Sequence, residues 1–203
     1  MKIAGSHSTL FAALFLLLGA LERPADAQLF GPRNPPMKKA SELIHRQQGP
    51  TVNRGLESVI TPDNSRVIIS ISNQRMYVKV GDQTYIDAPV STGKRAGMTP
   101  TGSFHVMEKD PDHHSNVYGD FVDRGGRIVR SGVSTKVDSA PSGTHYVGAL
   151  MKWFCRLTSG GVGMHVGILP GYPASHGCVC QRSDMALLVY QKVKVGTPVT
   201  IEP

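Results

Sequence analysis

Residues 164–179 read MHVGILPGYPASHGCV, and this stretch predicts both the chemistry and the fold of the chain. It holds one thiol, two imidazoles and three glycines. A cysteine nucleophile needs a neighbouring base, and that base needs a third group to orient it. Glycines permit tight backbone turns that aim several amides at one point, where they stabilise an oxyanion. The stretch therefore favours acyl transfer through a thioester at Cys178.

Zinc binding is the alternative chemistry, because cysteine and histidine are also the usual zinc ligands. However, Cys178 and Cys180 are separated by only one residue, and His165 lies far from any paired spacing. Paired zinc ligands are normally separated by two or more residues. The spacing therefore disfavours a zinc site. Acyl transfer to and from a thiol needs neither a metal nor an organic cofactor, and we expect none.

The chain on both sides of the motif is rich in β-forming residues, with turn residues between the apolar runs. The predicted strands are residues 67–72, 76–80, 83–90, 101–107, 164–168 and 199–201. Residues 146–157 form a further apolar run, whereas residues 110–145 are polar and glycine-rich and predict a long loop. His113, within that loop, has no spacing signal and is expected to be a loop or surface histidine.

One helix is predicted over Ser183–Val193, directly after the motif. Met185, Leu188 and Val189 recur at helical spacing, and Ser183 is placed to cap the first turn. The whole pattern predicts a mainly β domain over residues 61–203 with one helix near its end.

The N-terminus is typical of a cleavable secretory signal over residues 1–27. Leu10–Leu21 is an apolar run, and Ala25 and Ala27 are small residues at the cleavage site. The run is shorter than the roughly 20 residues of a membrane span, although an uncleaved anchor is the alternative. We expect no stable transmembrane anchor after cleavage. Residues 28–60 contain several prolines and predict a linker, in which residues 37–48 form one short helix.

Charge and cysteine content narrow the class of protein further. The net charge of +7 suits an anionic partner such as cell-wall polymer, whereas nucleic acid is disfavoured by export and by the lack of a recognition motif. The chain has three cysteines, so at least one thiol is left without an intramolecular partner. A Cys155–Cys180 disulfide would leave Cys178 free, and the alternative is that Cys155 and Cys180 are buried, inert thiols.

The sequence Ser175-His176-Gly177-Cys178, preceded by His165, resembles the signature of the YkuD-type L,D-transpeptidases. The resemblance covers roughly residues 65–203. It includes QRMYV at 74–78, PVSTG at 89–93, TPTG at 99–102, LPGYPA at 169–174 and VGTPV at 195–199. It implies a mainly β fold, a β-sandwich or open barrel of short strands with one helix after the catalytic motif. It makes residues 61–203 the catalytic domain.

The resemblance also implies roles for the motif residues. Cys178 is the expected nucleophile and His165 the general base, oriented by the backbone carbonyl of Val166. The backbone amides of His176, Gly177 and Cys178 are expected to form the oxyanion hole. The side chains of Ser175 and His176 are expected to shape the site.

Substrate binding is less well defined, because the family usually carries an arginine two residues after the nucleophile, where this chain has Cys180. Arg182 is a candidate replacement, since a shift of two residues keeps the same face of a strand. Tyr172, in the segment leading into the motif, is the other candidate substrate-binding residue.

The implied function is a peptidoglycan L,D-transpeptidase that cross-links tetrapeptide stems through a Cys178 acyl-enzyme. The expected partners are peptidoglycan stem peptides, and the expected location is the periplasm or cell wall, after secretion across the inner membrane. Two alternatives stay open. An L,D-carboxypeptidase or hydrolase would pass the same acyl group to water, and a non-catalytic wall-binding module would have lost the chemistry.

Overall fold

The computed structural model describes residues 47–203. The predicted signal segment, and the predicted short helix apart from its last two residues, lie outside the described residues. The strands are β1 Thr51–Val52, β2 Ser65–Ser70, β3 Arg75–Val80, β4 Gln83–Ser91, β5 Gly102–His105, β6 Glu108–Asp123, β7 Ile128–Ser134, β8 Thr144–Arg156, β9 Gly163–Val166, β10 Val179–Gln181 and β11 Pro198–Glu202. The helices are a 3-10 turn, Arg54–Leu56, and an α-helix, α1, Ser183–Lys192. None of the described helices has the length and apolar character needed to cross a membrane.

The strands form one open sheet in the order β5-β11-β2-β3-β4-β10-β9-β8-β6-β7, with β1 paired to β4. The mainly β fold with one helix after the motif is therefore confirmed. The meander β2-β3-β4 is antiparallel, as the turn residues between its apolar runs predict. β10 is antiparallel to β4 but parallel to β9. A parallel pair needs a crossover, and residues 167–178 of the motif supply it.

The core lies on one face of the meander and its neighbours, where side chains alternate between buried and half-buried positions. Fully buried aliphatic residues on these strands include Val67, Ile69, Met76, Val78, Ile86, Val90, Val199 and Ile201. Helix α1 contributes Met185, Ala186 and Val189 to the core, and Leu188 packs against it half-buried. The helical spacing that predicted α1 is therefore the spacing of its buried face.

Ser183 does not cap α1, contrary to the prediction. The helix begins at Ser183, and Arg182 occupies the N-cap position without a side-chain hydrogen bond to the helix backbone. Asp184 in the first turn places a carboxylate near the positive end of the helix dipole. Charge at the first turn therefore takes the place of the predicted hydroxyl cap.

The prediction of a long loop at residues 110–145 is wrong. Most of this segment belongs to β6 and β7, and β6 pairs with β8 from Glu108↔Arg156 to Asp123↔Thr144. The strands were missed because most of their side chains are polar. Every second residue from His113 to Phe121 is half-buried or buried, but that face carries few apolar residues, so the sequence shows no hydrophobic period of two. Backbone pairing of β6 with β8, and of β7 with β6, holds the segment in place.

The residues just before β2 also contact the sheet. β1 pairs with β4 through Thr51↔Asp87 and Val52↔Ile86. Leu56 and Ile60 are buried in the core. These residues, which the sequence assigned to the linker, pack on the domain.

Candidate active site

The side chain of Cys178 lies half-buried at the end of the motif crossover, immediately before β10. Its Sγ is 3.6 Å from the carbonyl oxygen of Gly161, and the backbone amide of Gly163 faces the sulfur. Burial raises the pKa of the Cys178 thiol, and the Gly163 amide and the charge of Arg156 oppose that rise. The resting group is therefore a neutral thiol held against the loop that joins β8 to β9.

His165 lies on β9, in parallel register with Cys180. Register partners project from the same face of a sheet, and residues two apart on a strand share a face. Cys178 precedes Cys180 by two residues, so Cys178 and His165 face the same side. This side, which also carries Phe154 and Arg156 on β8, is called the thiol face below. Cys178, immediately before β10, and His165, on the neighbouring β9, thus lie on one side of the sheet.

The imidazole of His165 is oriented by its own strand. Its Nδ1 lies 2.7 Å from the carbonyl oxygen of Val166, the contact that the resemblance to the family implies. A carbonyl only accepts, so Nδ1 carries the proton and Nε2 keeps a lone pair. Burial lowers the pKa of His165, the bond to Val166 opposes this, and the charge of His113 lowers it further. The ring therefore presents a neutral, basic Nε2.

Ser175 ties the motif together through its side chain. Its Oγ donates to the carbonyl oxygen of Cys178 at 2.5 Å and accepts from the amide of Gly177 at 3.0 Å. Its backbone bonds the segment after β4, accepting from Lys94 and donating to Thr92. Ser175, which was predicted to shape the site, therefore links the motif to the residues that follow β4.

Gly177 adopts a conformation that other residues disfavour. Its φ is +131°, and a Cβ there would lie 2.8 Å from the carbonyl oxygen of Met98. Its own carbonyl accepts from Thr99 Oγ1 at 2.7 Å, and the same hydroxyl accepts from the amide of Gly93 at 2.8 Å. The turn before Cys178 is therefore fitted closely against residues 93–99.

The three backbone amides predicted for an oxyanion hole differ in their hydrogen bonding. The Gly177 amide is already used by Ser175. Among the described residues, no acceptor takes the amide hydrogens of His176 and Cys178. Two amides rather than three are therefore available to a substrate oxygen.

The side chain of His176 is exposed and contacts residues from two other segments of the chain. Its ring stacks on Tyr118 of β6 with 4.3 Å between centroids, and its Nε2 lies 3.0 Å from Lys94 Nζ. The ammonium donates, so Nε2 accepts. Burial, followed by the charge of Lys94, lowers the pKa of His176. This ring is consequently held neutral between a tyrosine and a lysine.

The two candidate substrate-binding residues lie in different surroundings. Arg182 is exposed and bonds Asp184 through both Nε, at 2.9 Å, and Nη2, at 2.6 Å. The carbonyl of Tyr172 accepts from Ser91 Oγ at 2.7 Å, and Tyr172 lines a polar cavity of about 590 Å³. Cys178 and His165 do not line that cavity.

The other two cysteines are buried and remain thiols. Desolvation raises the pKa of Cys155 to about 12 and that of Cys180 to about 11. β9 separates their strands, so two spacings of about 4.8 Å exceed the reach of a disulfide, and the Cys155–Cys180 bond considered from the sequence does not form. Cys180 packs against Gly167, where a Cβ would lie 2.5 Å from its Sγ.

Several contacts to the site come from elements that showed no sequence signal. Tyr118 and Lys94 contact His176, and Arg156 lies near Cys178. His113 is half-buried and stacks on Phe154 at 4.2 Å, so it is not a simple surface histidine. These residues are distant in sequence and converge only through strand pairing.

One group of described residues has the ligand types of a metal site. Atoms of Glu108, Asp110 and His113 lie within 4.8 Å of one another. Glu108 is ion-paired with Arg156 at 2.5 Å, and Asp110 contacts His113 Nδ1 at 3.2 Å. The contact between Asp110 and His113 and the ion pair between Glu108 and Arg156 explain why these side chains lie together, without a bound cation.

Comparison with known proteins finds a matching family model and similar solved structures. The family model of the L,D-transpeptidase catalytic domain, YkuD, matches residues 64–201. A solved L,D-transpeptidase from Mycobacterium smegmatis is 22% identical with a TM-score of 0.51, over 69% of this chain and 59% of that one. An L,D-transpeptidase from Stackebrandtia nassauensis is 14% identical with a TM-score of 0.50, over 81% and 65%. The chain thus spans less than two thirds of the length of these structures, and no curated protein sequence matches it. At these identities the structural likeness shows the fold.

Proposed function

The chain belongs to the L,D-transpeptidase catalytic domain family, and from this premise we propose that it is a peptidoglycan L,D-transpeptidase that acts through a Cys178 thioester on tetrapeptide stems. The observation that carries the proposal is the bond from His165 Nδ1 to the Val166 carbonyl. That bond leaves a basic Nε2 on the thiol face, which Cys178 shares. A nucleophile, a base and a group that orients the base are the three parts that thiol catalysis needs.

In the first step, Nε2 of His165 takes the proton of the Cys178 thiol as the sulfur attacks the carbonyl between the diamino acid and the terminal D-Ala. The carbonyl oxygen becomes an oxyanion, which the amides of His176 and Cys178 receive. His165 then returns the proton to the leaving amine. D-Ala departs, and the rest of the stem is held as a thioester.

In the second step, an amine of a neighbouring stem attacks the thioester carbonyl. His165 accepts a proton from that amine and gives it to the departing sulfur. A new amide bond forms, the carbon–sulfur bond breaks, and Cys178 is again a thiol. If water attacks instead, the product is a tripeptide stem, which is the L,D-carboxypeptidase alternative.

The pKa shifts of Cys178 and His165 both support a proton transfer that accompanies the attack, rather than a thiolate–imidazolium pair that forms beforehand. Burial favours the neutral forms of Cys178 and His165. The hydrogen bonds of Ser175 and Thr99 support the same proposal, because they fix the turn that carries both free amides. The groups of a catalytic site must be held within about 0.5 Å of the geometry that the reaction needs.

We also propose that residues 1–27 direct secretion, that the linker which begins at residue 28 tethers the domain on which residues 51–60 pack, and that the domain works in the periplasm or cell wall. The net charge of +7 suits an anionic wall polymer. Tyr172 and Arg182 remain candidates for substrate contact. For Arg182 this requires release from Asp184, whose carboxylate it now binds.

The proposal is tested by incubating the purified protein with disaccharide tetrapeptides and identifying the products by mass. Cross-linked dimers with release of D-Ala support transfer. Tripeptide monomers alone support the hydrolase, and unchanged substrate that still binds supports a wall-binding module. A mass increase of the protein, located on the peptide that contains Cys178, would identify the acyl-enzyme.

A further inference from the structure

The guanidinium of Arg156 lies beside the loop that holds the Cys178 sulfur. Arg156 on β8 is the register partner of Gly163 on β9, whose amide faces that sulfur. Arg156 Nη1 is 3.8 Å from the position that a Cβ on Gly161 would occupy, and the Gly161 carbonyl contacts Cys178 Sγ. The end of the arginine side chain therefore borders the site of attack.

This guanidinium is held in one orientation by its neighbours. Its Nε donates to Glu108 at 2.5 Å across the β6–β8 pair, and the group lies 5.2 Å from the centre of the Phe154 ring. The side chain of Arg156 is 24% exposed. A planar group fixed along one edge and one face is oriented before any ligand arrives.

The outer edge of the guanidinium remains available. Nε is the only one of its nitrogens that bonds a described residue, which leaves the donors of Nη1 and Nη2 without a protein acceptor. Arg182, which follows β10, instead has one edge of its guanidinium, Nε and Nη2, bonded to Asp184. A free arginine edge matches a carboxylate, which takes two parallel hydrogen bonds from it.

We propose that Arg156 binds a carboxylate of the acyl-donor peptide beside Cys178. This rests on the proposed function and adds a substrate class to it: donor stems that bear a free carboxylate near the scissile bond. Two groups have that chemistry, namely the terminal carboxylate of D-Ala and the side-chain carboxylate of a diamino acid that carries one. The proximity of the Arg156 charge to the sulfur is consistent with this placement, since it lowers the pKa of Cys178 against the effect of burial.

Glu108 is the competing anion, because its carboxylate already pairs with the Nε edge of Arg156. This ion pair partly neutralises the charge of Arg156 and fixes the orientation of its guanidinium. The substrate carboxylate therefore binds the opposite edge and does not displace Glu108.

The test compares three donor peptides with the wild-type protein, Arg156→Gln and Arg156→Lys. The peptides are a tetrapeptide with both carboxylates, one with its terminal carboxylate amidated, and one with the diamino-acid carboxylate amidated. Arg66→Gln, which removes an exposed arginine paired with Asp82, is the matched control.

Loss of a charge-assisted pair predicts a rise in KM of about 10- to 100-fold for Arg156→Gln on the first peptide, with a smaller change in kcat. For the peptide that lacks the recognised carboxylate, the KM values of the wild type and of Arg156→Gln will differ little. That peptide identifies which of the two carboxylates Arg156 binds. Arg156→Lys keeps the charge without the fork and is expected to fall between the two. Unchanged KM, or an equal loss on all three peptides, would overturn the proposal.

Binding to Cys178→Ala separates this proposal from the proposed function. We expect Cys178→Ala to bind the first peptide more tightly than Cys178→Ala with Arg156→Gln or Arg156→Lys does, as measured by calorimetry. If the wild-type protein converts no peptide, the proposed function fails, while this difference in affinity still tests Arg156. Equal affinities in all three proteins would contradict the carboxylate site even in an active enzyme.

Discussion

Nδ1 of His165 lies 2.7 Å from the carbonyl oxygen of Val166, the next residue on the same strand. The orienting group of the proposed base is therefore backbone, not a carboxylate. A carboxylate would stabilise the protonated ring by its charge, whereas a carbonyl mainly fixes the tautomer. The pH behaviour and the mutational sensitivity of the site follow from this relationship.

The first prediction concerns the acid limb of activity. As the proposed base, His165 would act when neutral, and burial lowers its pKa below the ordinary 6.5. Activity is then retained as the pH falls through 6.5 and is lost only when the ring becomes protonated at lower pH. A profile of kcat/KM against pH will show the acid midpoint below 6.5. A midpoint above 6.5 would mean that the protonated ring is stabilised, contrary to its buried setting.

The second prediction separates the two neighbouring cysteines. Cys178→Ala removes the proposed nucleophile and is expected to abolish product formation without lowering the melting temperature. Cys180→Ala is the matched control, because Cys180 is a buried thiol whose side chain packs on Gly167. It will keep most activity. Severe loss in folded Cys180→Ala, or full activity in Cys178→Ala, would contradict the assignment of the nucleophile.

The third prediction tests the hydroxyl that links the motif turn to residues 93–99. Thr99 is buried and bonds both the Gly177 carbonyl and the Gly93 amide. Thr99→Val keeps its shape but leaves two polar groups unpaired, at a cost of about 1–3 kcal/mol in free energy of unfolding. Urea denaturation measures this change. The control Thr101→Val, at an exposed position, will cost less than about 0.5 kcal/mol.

The fourth prediction concerns Ser175, whose hydroxyl bridges Gly177 and Cys178. Ser175→Ala frees the Gly177 amide and loosens the turn, so kcat is expected to fall by about 10-fold or more, as small displacements at a reacting centre do. Ser175→Thr keeps the hydroxyl and will retain more activity. Initial rates measured alongside melting temperatures distinguish a catalytic loss from unfolding. Equal rates in the two variants would show that the bridge has no role in turnover.

Much of the fold was predictable because local pattern and burial agree there. The meander β2-β3-β4 alternates as its residues predict, and α1 buries the Met185 and Val189 face that its spacing indicates. The segment of residues 110–145 was not predictable. Most of its strand residues are polar even on the half-buried face of β6, so no hydrophobic period marks them, and the strands depend on pairing with each other and with β8.

The sequence by itself identified the candidates for the reaction. Local spacing gives Cys178 and two nearby histidines, whereas the choice of His165 as the base and of the Val166 carbonyl as its support comes from the resemblance to the family. Tertiary structure alone decided what surrounds them. It brought Tyr118, Thr99 and Arg156, all distant in sequence, to the motif. These contacts depend on strand register, which is fixed by the pairing of distant segments and by the burial of one face of the sheet.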